Sequence, residues 1–183
     1  MKYIALLRGI NISGKNKISM SELKKILEEN RYKNVITYLN SGNVIFESNT
    51  DNKENMMQDI YKIVKNKFNL EIPIFIISQL ELEDILNNNP EWWGTENKEI
   101  YDNLIFIITP TKYEEVYNTI GNPREEIEKI KEFKNSIFWS YDLKNYRKSN
   151  WWNKTASTNI KDRITIRTAN TMKRILEICK KQK

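Results

Sequence analysis

Histidine is absent from the 183-residue chain, and cysteine occurs once, at Cys179. The first absence removes Ser–His–Asp and Cys–His catalysis as normally built, together with imidazole-based zinc and iron sites. A single thiol cannot form an internal disulfide or a thiolate zinc site, and its scarcity fits a reducing compartment. Any catalysis must rest on carboxylates, lysine, tyrosine or an oxygen-ligated magnesium. No metal site is assigned, no cofactor is identified, and whether the chain is an enzyme stays open. No apolar run approaches the roughly 20 residues of a membrane-spanning helix, so no membrane partner is expected. The residues after Met1 begin a strand rather than a cleavable leader, which leads us to expect a cytoplasmic protein.

Charged residues make up 30% of the chain and hydrophobic ones 39%, the balance of a soluble globular protein. The length suits one ordinary domain or two small ones. The net charge is +6, but lysine alternates with glutamate over most of the chain, as in Glu125-Glu126-Ile127-Glu128-Lys129-Ile130-Lys131-Glu132. The unbalanced basic segments are the opening loop and the tail, Lys180-Lys181-Gln182-Lys183. This pattern speaks against nucleic acid as a partner, since phosphate binding needs clustered cations. The lone Cys179 continues the stripe Met172, Ile175, Leu176 at helical spacing and reads as a packed core thiol.

Periodicity predicts a strand over Tyr3–Arg8 and a helix entered through Ser19-Met20-Ser21-Glu22, which has capping-box spacing. Short strands over Val35–Leu39 and Val44–Phe46 flank the turn Asn40-Ser41-Gly42-Asn43. Asp51 or Asn52 can cap a helix running to Phe68, and a strand over Ile72–Ile77 follows. The order β-α-β-β-α-β is that of the ferredoxin-like unit. In the second half, Ser78 caps a helix ended by Asn87-Asn88-Asn89-Pro90, and Leu104–Ile108 is a strand. Lys112–Ile120 is a helix stopped by Gly121 and Pro123. Glu126–Phe133 and Ile137–Tyr141 form a hairpin, residues 142–163 are ambiguous, and Ile164–Ile166 precedes a helix over Ala169–Lys180 with Thr168 as its cap. We therefore expect an α+β fold of two ferredoxin-like (β-α-β-β-α-β) subdomains, 1–78 and 79–183, in one compact body. Strands such as Leu104-Ile105-Phe106-Ile107-Ile108 are apolar on both faces, so each sheet should be covered twice.

The residues that carry chemistry crowd into Leu6–Lys17, where Arg8, Gly9, Asn11, Gly14 and Lys15 share one connection. The third strand of such a unit lies antiparallel to the first, which brings Ser41, Gly42 and Asn43 to the same sheet edge. Turned backbone N–H groups beside cations make an anion cradle, and arginine favours planar carboxylate or phosphate partners. Turn chemistry is the competing explanation, and it accounts well for Gly42 and Asn43. The run Gly9-Ile10-Asn11-Ile12-Ser13-Gly14-Lys15-Asn16 approaches a nucleotide-binding P-loop. Asn16 replaces the magnesium-holding hydroxyl, however, and the helix starts only at Ser19, both of which weigh against that reading. RNA recognition through the sheet is excluded because the third strand lacks the aromatic signature and carries Glu47. The pairs Trp92-Trp93 and Trp151-Trp152 read as packing residues before interface anchors.

The segments Leu7-Arg8-Gly9-Ile10-Asn11, Gly14-Lys15-Asn16, Met20, Leu23 and Ser41-Gly42-Asn43-Val44 resemble the N-terminal pattern of the bacterial domain-of-unknown-function 1697 family. Thr165-Ile166-Arg167-Thr168-Ala169-Asn170-Thr171 is similar to the segment preceding that family's last helix. The resemblance implies two ferredoxin-like subdomains and brings no activity, substrate or cofactor. It adds Arg167 and Asn170, at a helix N-terminus, as candidate anion contacts. The resulting expectation is a protein binding a small phosphate- or carboxylate-bearing ligand in a cleft of the subdomains. Its contacts would be Arg8, Gly9, Asn11, Gly14, Lys15, Ser41, Gly42, Asn43, Arg167 and Asn170. A protein-interaction scaffold, an enzyme of unknown reaction and a homodimer are the alternatives.

Overall fold

A computed structural model describes residues 1–181; Gln182 and Lys183 of the basic tail lie outside the described residues. The chain divides into two compact units, one formed by Met1–Glu83 with the chain from Ile175 onward, the other by Asp84–Arg174.

In the first unit the order is β1 (Lys2–Leu7), α1 (Met20–Glu29), β2 (Lys33–Tyr38), β3 (Asn43–Glu47), α2 (Lys53–Phe68), β4 (Ile74–Ser78). The strands form one antiparallel sheet in the order β2-β3-β1-β4. Helix α1 begins where Ser19 accepts a hydrogen bond from the Glu22 N–H at 3.3 Å, while the Glu22 carboxylate pairs with Lys67 at 3.3 Å. Asn52, rather than Asp51, caps α2 by accepting from the Asn55 N–H at 2.9 Å. Side chains of Leu23, Leu27, Met56, Ile60 and Val64 bury the inner helix faces against Tyr3, Ala5, Val44 and Phe46. The alternate residues of β1 and β3, Ile4, Leu6 and Ile45, are fully buried as well, so the sheet has two dry faces.

Between the units' sheets in sequence lies α3 (Gln79–Asn87). Its start is a reciprocal capping box: Ser78 Oγ accepts from the Glu81 N–H at 3.2 Å, and Glu81 Oε2 accepts from the Ser78 N–H at 2.9 Å.

The second unit repeats the arrangement with β5 (Ile100–Ile107), α4 (Tyr113–Ile120), β6 (Glu128–Phe133), β7 (Ser136–Asp142), α5 (Asn150–Ser157) and β8 (Ile164–Thr168), followed by α6 (Ala169–Lys181). Its antiparallel sheet has the order β6-β7-β5-β8. The ambiguous residues 142–163 form a 3₁₀ turn, helix α5 and a second 3₁₀ turn. Strand β6 starts two residues later than the sequence suggests, because the N–H groups of Ile127 and Glu128 both turn back onto the Arg124 carbonyl. Trp93 and Trp151 are core residues: Trp93 donates its indole N–H to Asn103 O at 2.7 Å, and Trp151 donates to Gly121 O at 3.1 Å. Trp152 differs, since it is 41% exposed and packs edge-on against Tyr141 and Tyr146.

Thr168 caps α6 by accepting from the Thr171 N–H at 3.2 Å. Cys179 on the same helix is fully buried, and burial pushes its thiol up to about 11, as a packed core thiol requires.

Candidate functional site

The opening loop is built from left-handed backbone. Five of its eight residues, Gly9, Asn11, Ser13, Gly14 and Asn16, have φ between 47° and 76°, a conformation that glycine and asparagine reach at lowest cost. The loop closes on itself: the Asn11 N–H donates to Asn16 O at 3.1 Å, the Lys15 N–H to Ile12 O at 2.9 Å, and Asn16 Nδ2 to Gly9 O at 2.9 Å.

Asn11 is the strut that positions this loop. Its Oδ1 accepts from the Ile18 N–H at 2.9 Å, and its Nδ2 donates to Ile18 O and to Asn40 O, each at 2.9 Å. One side chain thereby ties the loop both to the approach of α1 and to the β2–β3 turn. Asn43, fully buried, likewise serves the turn by donating to Tyr38 O at 2.8 Å and Ser41 Oγ at 3.1 Å. Gly42 O accepts from the Leu7 N–H at 2.8 Å, and the Arg8 N–H donates to Pro73 O at 3.0 Å. The β1 exit and the β3 entry are thus neighbours, as the topology requires.

A hollow of about 510 Å³ opens beside the strut, lined by Asn11, Gly14, Lys17, Ser19, Ser21 and Asn40 over Ile18 and Met20. It faces the first turn of α1, where N–H groups lack helical partners and the dipole favours negative charge. Among the described residues, no carboxylate lines it. Of the residues singled out from sequence, Asn11 and Gly14 line the hollow, whereas Arg8, Gly9, Lys15, Ser41, Gly42 and Asn43 do not. The lysine that lines it is Lys17, with Ser19, Ser21 and Asn40. The S-x-x-E spacing after Lys17 locates that end of the hollow in the sequence, and the Asn11–Asn40 hydrogen bond ties the turn to it.

Arg167 and Asn170 belong to the second unit. Arg167 lies on β8 opposite Leu104, is 8% exposed, and donates from Nη1 to Thr165 Oγ1 at 3.0 Å and Ile166 O at 2.9 Å. Asn170 is exposed in the first turn of α6.

A carboxylate passed over in the sequence, Glu128, is 2% exposed. It accepts from the N–H groups of Asn150 (2.8 Å), Trp151 (3.3 Å) and Arg124 (3.1 Å), from the indole of Trp139 (3.2 Å) and from the Ser149 hydroxyl. It is the internal counter-charge of the α5 N-terminus. Its nearest signal is the alternating charge of β6, which reads as an ordinary exposed strand. Among the described residues, no cluster of histidine, cysteine, aspartate or glutamate could hold a metal ion, and no helix is long and apolar enough to cross a membrane.

Two α+β units with four-stranded antiparallel sheets, and a glycine- and asparagine-stapled loop at the end of the first strand, define the class. The chain belongs to the family described as protein of unknown function (DUF1697), whose pattern matches residues 1–138. Its fold is similar to that of the conserved bacterial protein SP0830 from Streptococcus pneumoniae, with 27% sequence identity, a TM-score of 0.84 and 97% of each chain covered. No curated protein shows significant sequence similarity to it.

Proposed function

We propose that this protein binds a small anionic ligand, phosphate- or carboxylate-bearing, in the loop hollow of its first unit. The observation that carries the reading is the hollow itself: it is lined by Lys17 and by Ser19 and Ser21 at the start of α1, whose hydroxyls bond each other at 3.0 Å, and among the described residues no carboxylate lines it. A lysine beside a helix N-terminal turn, with no competing negative charge, suits an anion. Asn11 acts as the support for this surface rather than as a contact, because its amide already serves three main-chain groups. Gly14 and Lys17 contribute contacts from the loop, and Arg8 and Lys15 add long-range positive charge. The ferredoxin-like description of each unit and a cytoplasmic location belong to the same reading, supported by the strand orders and the single buried thiol.

Thermal shift against inorganic phosphate, sugar phosphates, nucleotides and organic acids tests this. Stabilisation by one of these anions that disappears in Lys17→Ala is the expected result. Stabilisation by inorganic phosphate that persists unchanged in Lys17→Ala moves the site elsewhere.

A second reading, a protein-interaction surface, is favoured by one observation in the second unit: Tyr101, Leu143 and Trp152 are exposed by 38, 40 and 41%. Sedimentation of wild type and Trp152→Ala distinguishes it, since an assembly held by this surface dissociates in the variant.

A further inference from the structure

The first unit contains another cavity, of about 400 Å³, that shares no lining residue with the loop hollow. Its size lies within the roughly 300–1,000 Å³ typical of small-ligand sites. Three segments converge on it: the exit of α1, the chain after β3, and one stripe of α2. That stripe consists of Asn55, Gln58, Asp59 and Lys62, spaced i, i+3, i+4 and i+7 so that all four share a face. The floor is rigid. Tyr32, 7% exposed, donates its hydroxyl to Asp59 Oδ2 at 2.9 Å and packs edge-on against Phe46 with ring centroids 4.8 Å apart.

Arg31 is the residue that demands explanation. Helix α1 ends in a Schellman motif: the Tyr32 N–H reaches back to Leu27 O at 3.1 Å and the Arg31 N–H to Glu28 O at 3.3 Å. The motif puts Arg31 at φ +74°, the position where glycine is normally found and where a Cβ is a steric burden. An arginine there is justified by its side chain, not by its backbone. That side chain lines the cavity, as does Lys62, and neither has an ion-pair or hydrogen-bond partner among the described residues.

We propose that this cavity binds a sugar phosphate. Arg31 and Lys62 take the phosphate, for which guanidinium and ammonium donors are suited. The Asn55 and Gln58 amides and the Ser48 hydroxyl offer both donors and acceptors to sugar hydroxyls. Asp59 keeps unused acceptor positions beyond its bond to Tyr32; these suit a hydroxyl and repel a second anionic group. No exposed aromatic ring lines the cavity, which leaves a nucleobase without a stacking face and separates this ligand from a nucleotide.

The test is an NMR titration of the full chain with ribose 5-phosphate and glucose 6-phosphate, using inorganic phosphate and ribose as comparison probes. We expect the Asn55 and Gln58 side-chain amide signals to shift to saturation, with one sugar phosphate binding at least tenfold more tightly than phosphate or ribose. Arg31→Gly, a change the backbone favours, and Lys62→Ala should each weaken binding at least tenfold, with the melting transition retained. Lys17→Ala should leave it unchanged, so failure here and failure of the loop site give different results. Equal affinity for inorganic phosphate overturns the proposal, as do unmoved Asn55 and Gln58 signals, undiminished binding in Arg31→Gly, or loss of binding in Lys17→Ala.

Discussion

Gly42 and Ile10 are in contact so close that no side chain fits between them. A Cβ on Gly42 would stand 2.9 Å from Ile10 Cδ1 and 2.9 Å from Leu7 Cβ, at a residue with φ +83°. The β3 entry and the β1 exit are therefore locked together by the lack of a side chain. Gly42→Ala combines overpacking with left-handed strain, and we expect it to cost about 2–4 kcal/mol. Urea denaturation measures this; a change under 1 kcal/mol would mean that the two loops can part freely.

Glu128 should be among the most sensitive positions in the second unit. Glu128→Ala leaves the Ser149 hydroxyl, the Trp139 indole and the first N–H groups of α5 buried without an acceptor. The expected loss is about 3–5 kcal/mol, the range for breaking a buried charged network by removing one partner. Glu128→Gln keeps the shape and should recover part of it. Chemical denaturation of the two variants checks both the magnitude and the order.

Arg31→Gly should stabilise the protein. Relief of the left-handed strain outweighs the added freedom of the unfolded chain, for a net gain of about 0.5–1 kcal/mol. A stabilising change that also removes ligand binding would separate the side chain's role from the backbone's. Paired denaturation and binding measurements on this variant supply that comparison.

Glu81 contributes an acid-sensitive element. Partial burial alone would raise its carboxyl, but the Lys53 ammonium and the N–H and hydroxyl of Ser78 together hold it below the usual carboxylate range. A carboxyl lowered on folding adds stability that is complete above its unfolded value, near 4.5, and is lost as pH falls through the lower folded value. Stability measured from pH 6 down to 3 should therefore decline less steeply in Glu81→Gln than in wild type. Parallel curves would show that this box carries no charge-dependent stability.

Local rules made most of the fold legible. Ser19, Asn52 and Ser78 are caps whose partners lie three residues away, within reach of any spacing argument. Gly121 follows α4 with φ +84°, again a local signal. Helix α5 has the same local cap, Ser149 accepting from the Trp152 N–H. It is only eight residues long, however, and buries just Trp151 and Thr155, too short a stripe for periodicity to reveal. Its further N-terminal partner, Glu128, lies more than twenty residues earlier on β6. The candidate site divides in the same way. Crowding of glycine, asparagine and lysine drew attention to the loop beside the hollow, yet the tie between that loop and the β2–β3 turn rests on the Asn11–Asn40 hydrogen bond, across 29 residues. Turn residues and cavity-lining residues draw on the same amino acids, so sequence spacing could not sort the turn-bonding Asn43 from Lys17 and Ser21, which line the hollow.

The loop hollow is tested most directly by titrating isotope-labelled protein with inorganic phosphate and following backbone amides. The account predicts saturable shifts centred on Gly14, Lys17, Met20 and Ser21, lost in Lys17→Ala. Shifts that scatter over the surface lysines and grow linearly with phosphate would contradict it.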